Sequence, residues 1–231
     1  MSEIEKGRWQ LDDASVVGVL NQMPQMEKVM VVMRHGGATH ERIGAVGAVS
    51  DDAGAIHLGG AVHTARVDPN AVARVILDTS SQMQGKCFPS VEFQDNDGEA
   101  LFSVIGMEGA EAFVAAFDGL AKTVQAPKER QMPAMSKTPD DLSGDEGFRL
   151  LDRLKEEGHP VEIRMELPGR TQSWRGQIED VKPAMGFANV MTGDFHLHLK
   201  AGAVAAWRDE DGGFTALDAE GSATGLRVLK V

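Results

Sequence analysis

The stretch GDFHLHLKAGAVAAW, residues 193–207, sets His196 and His198 two apart among apolar residues. On a β-strand successive side chains point to opposite faces, so both imidazoles project the same way. Neutral imidazole is a ligand for transition metals, but a closed zinc site takes four ligands and one H-x-H pair supplies two. A strand with two solvated or hydrogen-bonded polar residues on its wet face satisfies the same spacing. Five further histidines are His35, His40, His57, His63 and His159. His159 precedes Pro160 and reads as a turn residue. His57 and His63 flank Gly59-Gly60, where missing side chains would let a flat group approach the backbone.

Other chemistry finds little support. There is no G-x-x-x-x-G-K-[ST], no C-x-x-C, no H-E-x-x-H and no G-x-S-x-G, so nucleotide binding and familiar hydrolytic machinery are not indicated. Cys87 is the one cysteine, has no activating motif beside it and reads as a structural thiol. Tyrosine is absent. With 35 acids against 23 bases the net charge is −12, which opposes broad nucleic-acid binding and docking on an anionic membrane. No apolar run approaches the roughly 20 residues of a membrane span. The start, MSEIEKGRWQLDD, lacks the apolar core of a secretory signal, and the lone cysteine suits a reducing cytoplasm.

The elements that must position the histidines come twice. Residues 44–78 lie over 176–210 without a gap: Gly44 meets Gly176, Leu58 meets Val190, and Ala71-Val72-Ala73 meets Ala203-Val204-Ala205. The first copy then carries extra residues around SSQMQGKCF, and the copies rejoin at FQDNDGEAL (93–101) and ALDAEGSAT (216–224). Each of these contains an acidic D-x-[DE]-G turn, with Asp97-Gly98 suited to a hairpin. A short helical pattern after Ala14 stops at Pro24, ahead of the β-branched run VMVVM. Alternating segments from 40 to 105 predict antiparallel strands. The apolar stripe of Ala112, Phe113, Ala116, Phe117 and Leu120 predicts an amphipathic helix over 109–124. A second helix is expected over 145–158, acidic at its start and ended by Gly158.

The expected fold class is therefore α+β, two tandem repeats of an antiparallel β-sheet module with flanking helices. The first module spans 1–124, a proline-bearing linker 125–144, and a second, shortened module 145–231.

Three segments carry a family resemblance. PSVEFQDNDGEALFSVIGMEGAEAFVAAFDGLA resembles the strand–turn–strand–helix segment of the intracellular haem-utilisation family, of HemS, ChuS and ChuX types. VLNQMPQMEKVMVVMRHGGATHERIG is similar to that module's N-terminal stretch, and FANVMTGDFHLHLKAGAVAAW to its second-half segment. The resemblance implies a cytoplasmic haem carrier, with some members degrading haem, and either tandem modules in one chain or a dimer of single ones. Haem is the implied ligand, and a homodimer and haem-import machinery are the implied partners. By the same carry-over His63, in GAVHTARVDPNAVA, falls where single-module members have a haem-associated histidine, and His35, in VMRHGG, lies within a residue of a second such position. His63 is thus the leading iron ligand, His35 the next, and His198 a second-half candidate.

Arg34, Arg66 and Lys200 are candidate partners for the propionates, each equally at home as a solvated surface charge. The chain also departs from the family. SGDEGFRLL opens the second helix without the ligand histidine of tandem members, and a tyrosine of the second pocket has no counterpart. Haem handling is accordingly the leading expectation, beside two alternatives: oxygen-dependent haem degradation, and a duplicated scaffold that no longer binds haem.

Overall fold

The computed structural model describes residues 4–12, 14–83, 85–128, 141–210 and 212–231. The chain begins with β1 (Arg8–Leu11), α1 (Val16–Leu20), β2 (Val29–His35), β3 (Ala38–Gly44), β4 (Ala48–Asp52) and β5 (Ala55–Gly59). It continues with β6 (Ala65–Val67), β7 (Arg74–Asp78), β8 (Gln82–Met83), β9 (Lys86–Cys87), β10 (Ser90–Gln94) and β11 (Ala100–Gly106). α2 (Ala110–Ala115), β12 (Lys122–Val124) and α3 (Glu146–Glu157) lead to β13 (Val161–Leu167) and β14 (Arg170–Gly176). The last strands are β15 (Lys182–Ala184), β16 (Phe187–Met191), β17 (Phe195–Lys200), β18 (Ala206–Glu210), β19 (Gly213–Leu217) and β20 (Ala223–Lys230). Residues 129–140 of the expected linker lie outside the described residues.

These elements form two compact units, Met1–Val32 with Ile43–Gln131, and Met33–Arg42 with Met132–Val231. In the first, antiparallel strands run in the order β12-β1-β7-β10-β11-β2, and β4-β5-β6 form a meander. In the second, β18-β19-β20-β13-β14 form one antiparallel set and β15-β16-β17-β3 another.

The duplication is visible in both register and order. Val29–His35 recurs as Val161–Leu167, Ala38–Gly44 as Arg170–Gly176, and Arg74–Asp78 as Ala206–Glu210, each 132 residues on. The order β7-β10-β11-β2 is repeated as β18-β19-β20-β13. The acidic turns match bond for bond. Asp95 Oδ1 accepts from the Asp97 and Glu99 amides, and Asp218 Oδ1 from those of Glu220 and Ser222. Gly98 and Gly221 close these turns at φ +85 and +78, a conformation open to glycine and strained for residues with a Cβ.

The first helix, its Pro24 break and the strand Val29–His35 follow the expected pattern. α3 does too: Asp145 Oδ1 caps the Phe148 amide at 2.8 Å and Gly158 ends the helix at φ +68. A Cβ on Gly147 would meet Leu199 Cδ2 at 2.6 Å, so glycine is what lets α3 lie close against β17. Trp207 Nε1 donates to the Glu146 carbonyl at 2.9 Å and ties the helix to β18.

The helix expected over 109–124 is corrected. It ends at Ala115, and the amides of Phe117 and Asp118 turn to carbonyls three residues back. Gly119 then takes φ +84, and Lys122–Val124 pairs with β1. Phe113 and Phe117 still pack edge to face in the core, but Leu120 leaves it. Strand β1 itself was not expected from the sequence: four residues are too few for periodicity to register.

Candidate functional site

Strand β17 alternates as its sequence demands. Phe195, Leu197 and Leu199 are buried, while His196, His198 and Lys200 occupy the other face. On one side β3 sets Glu41 opposite His196 and Thr39 opposite His198. On the other, β16 sets Met191 opposite His196, Asn189 opposite His198 and Phe187 opposite Lys200. Cross-strand partners share a face, so two imidazoles, a carboxylate, a carboxamide and two apolar side chains line one surface of the second unit.

The polar atoms converge. His196 Nδ1 lies 3.3 Å and His198 Nε2 3.7 Å from Glu41 Oε2. Asn189 Nδ2 donates to the carbonyls of Lys182, Ala184 and Phe187 at 2.9, 3.3 and 3.0 Å, which leaves its Oδ1 as the acceptor. His198 Nδ1 therefore carries a proton and donates to Asn189 Oδ1 at 2.6 Å. Burial works to raise the Glu41 carboxyl, but His198, Arg34 and His196 outweigh it and hold the group below the ordinary carboxylate range. Arg34 is exposed on β2, immediately before His35.

Three of the expected site residues gather at one place. Arg34 and the exposed His35 run into the Gly36-Gly37 turn, and the Lys200 amide donates to the Gly37 carbonyl at 2.9 Å. His198 lies two residues from Lys200 on the same face. His63 and Arg66 are in the first unit, where the exposed Arg66 sits across from His57 on β5.

His63 is 1% exposed, and its Nε2 donates to the Gly44 carbonyl at 3.0 Å. At Gly60 the chain runs close against the backbone of Gly47. A Cβ on Gly60 would come within 2.7 Å of the Gly47 amide nitrogen, and Gly60 has φ +129. We expect Gly60→Ala to destabilise the first unit by about 1–3 kcal/mol, read as a lower urea midpoint at unchanged slope.

His40, which spacing did not separate from the other histidines, is a core residue. Its Nε2 donates to the Ile163 carbonyl at 3.1 Å and its Nδ1 accepts from Gln172 Nε2 at 3.0 Å. His40 and Gln172 are equivalent positions of the two copies. The His40 ring packs 4.8 Å from Phe195, which stacks on Trp174 at 4.6 Å. Cys87 is half-buried; burial pushes its thiol up, and its Sγ donates to the Thr79 carbonyl at 3.5 Å. Glu41 was missed; its one signal is a charge inside the strand-forming THERIG.

No described helix is long and apolar enough to cross a membrane. Comparison with known proteins bears on both halves. Residues 9–120 match the model of the family "Haem utilisation ChuX/HutX". Among solved structures, the chain is similar to ChuS, an E. coli heme oxygenase, with TM-score 0.74, 14% identity, and 97% of this chain and 83% of that one covered. It is also similar to holo-PhuS, a heme-binding protein from Pseudomonas aeruginosa, with TM-score 0.73, 17% identity, and 99% and 82% covered. At these identities the likeness shows a shared two-module fold. A search of curated proteins gave no match.

Proposed function

We propose that this chain, whose residues 9–120 belong to the haem-utilisation ChuX/HutX family, binds haem and carries it in the cytoplasm for haem-iron utilisation. Its modules are 1–124 and 145–231, joined through 125–144. The observation that carries the reading is the match over the first module. Two proteins of similar fold support it, PhuS, a heme-binding protein, and ChuS, a heme oxygenase.

The Gly36-Gly37 turn supplies a donor set that fits the ligand. His35 offers an exposed imidazole for the iron, and Arg34 and Lys200 offer a guanidinium and an ammonium for two propionates. Met191, 55% exposed, and the half-buried Phe187 offer apolar surface on the Lys200 face. Haem would supply an iron able to take an imidazole ligand; the protein's part is to hold and orient it. His63 could serve only after leaving the Gly44 carbonyl and its buried site, so His35 is the ligand available without rearrangement.

Haem titration followed at the Soret band tests this. The parent should saturate, His35→Ala should weaken binding at least about tenfold, or about 1.4 kcal/mol, and His63→Ala should bind like the parent. The reverse pattern moves the iron to His63, and a parent with no Soret shift ends the haem reading. Adding ascorbate under oxygen then separates carriage from breakdown: a stable Soret band is expected of a carrier, and steady bleaching of a degrader.

A further inference from the structure

Glu41, His196 and His198 bring three metal-ligating groups together at one place. With Nδ1 of His198 committed to donating to Asn189, its Nε2 is the ring nitrogen that faces Glu41 Oε2, at 3.7 Å. The third member, His196 Nδ1, is 3.3 Å from the same oxygen, and all three ligand atoms lie within 4.8 Å of one another. Ligands held about 2.1 Å from a tetrahedral ion are about 3.4 Å apart, so the cluster is already close to the span a metal requires.

We propose that Glu41, His196 and His198 form a binding site for a divalent first-row transition metal ion, separate from any haem. Two imidazoles and one carboxylate suit Zn2+ or Fe2+ and leave coordination positions for water or a small anion. Asn189 is the positioning residue. Its carboxamide is oriented by three backbone carbonyls and fixes the His198 tautomer, as outer-shell partners of metal-bound histidines do. The set sits on paired strands, His196 opposite Glu41 and His198 opposite Asn189, so little has to be ordered when the ion arrives. Side-chain exposures of 22% for His196 and 29% for His198 give an ion access. Arg34 is the one cation that acts on Glu41 from β2, and it opposes the ion.

The test uses haem-free, tag-free full-length chain and Zn2+ alone, by calorimetry and by imidazole 15N chemical shifts. One Zn2+ per chain should bind and move the His196 and His198 resonances while leaving those of His40 and His63 in place. His198→Ala and the near-isosteric Glu41→Gln should each lower the affinity at least about tenfold, and Asn189→Ala by about 10–100-fold. Arg34→Ala should tighten Zn2+ binding, although it removes a cation offered to haem propionates. Circular dichroism of each variant checks that it is folded, and Glu41→Gln, which keeps the side-chain shape, carries the test if an alanine variant is not. Zn2+ binding that is absent, that moves other histidines, or that survives both His198→Ala and Glu41→Gln would overturn the proposal. Because haem is not in the experiment, its result stands apart from that of the Soret titration.

Discussion

Acidification from pH 7 to pH 5 should remove about 2 kcal/mol from the stability of the second unit, and about 3 kcal/mol by pH 4, through His40 alone. The ring is fully buried and neutral, and burial pulls its pKa from 6.5 down to about 4, against the favourable bonds to the Ile163 carbonyl and its own. Above pH 6.5 neither the folded nor the unfolded state binds this proton, so His40 adds no pH dependence. Between 6.5 and 4 the unfolded chain takes up a proton that the folded chain refuses, and stability falls with pH. Below 4 both states are protonated and the loss levels off. Urea unfolding of the parent at pH 7 and pH 5, beside His40→Gln, measures it. The variant should be less stable at pH 7 but show a shallower loss on acidification. An NMR titration placing the His40 pKa near 6.5 in the folded protein would disprove the account.

Phe195→Ala should cost the second unit about 3–5 kcal/mol, the range for deleting a large buried side chain without full collapse of the site. Phe195 is fully buried, stacks on Trp174 at 4.6 Å and touches the His40 ring at 4.8 Å. It also begins β17, next to His196, so the cavity would loosen the strand that presents the histidine face. Phe195→Leu fills most of the volume and should cost appreciably less. Because Phe195 and His40 are in contact, the double variant Phe195→Ala, His40→Gln should be less destabilised than the sum of the singles. Strict additivity in denaturant unfolding would show that the two rings do not support one another. A loss below about 1 kcal/mol would show the core refills around the gap.

Local signals in the chain were sufficient for the architecture. Alternation, turn glycines and caps involve neighbours within a few residues, so most of the strands, the acidic turns at 95–98 and 218–221 and the helix from Asp145 to Gly158 could be read from it. The 132-residue repetition could be read as well, because a duplicated module repeats its pattern whatever its environment. Where competing tertiary demands act on a short segment, reading failed. Gly119 and the pairing of Lys122–Val124 with β1 cut short a helix whose apolar stripe ran on to Leu120.

The site was legible only in part. The two-residue spacing of His196 and His198 placed both on one strand face, and Arg34, His35, His198 and Lys200 could be named from the sequence as candidates. That Arg34, His35 and Lys200 meet at the Gly36-Gly37 turn was not written in any of them. Glu41 and His196 stand 155 residues apart and become neighbours because β3 pairs with β17 in one register out of many. Nor did residue type distinguish the histidines. His40 is sealed between backbone and Gln172, His63 is drawn to the Gly44 carbonyl, and His198 is oriented by Asn189. An imidazole's chemistry depends on which partner takes each ring nitrogen and on how much water remains, and strand pairing and packing decide both. The sequence by itself determined a duplicated antiparallel fold bearing histidines; the tertiary structure alone decided which of them are core, and which face a carboxylate where a cation can bind.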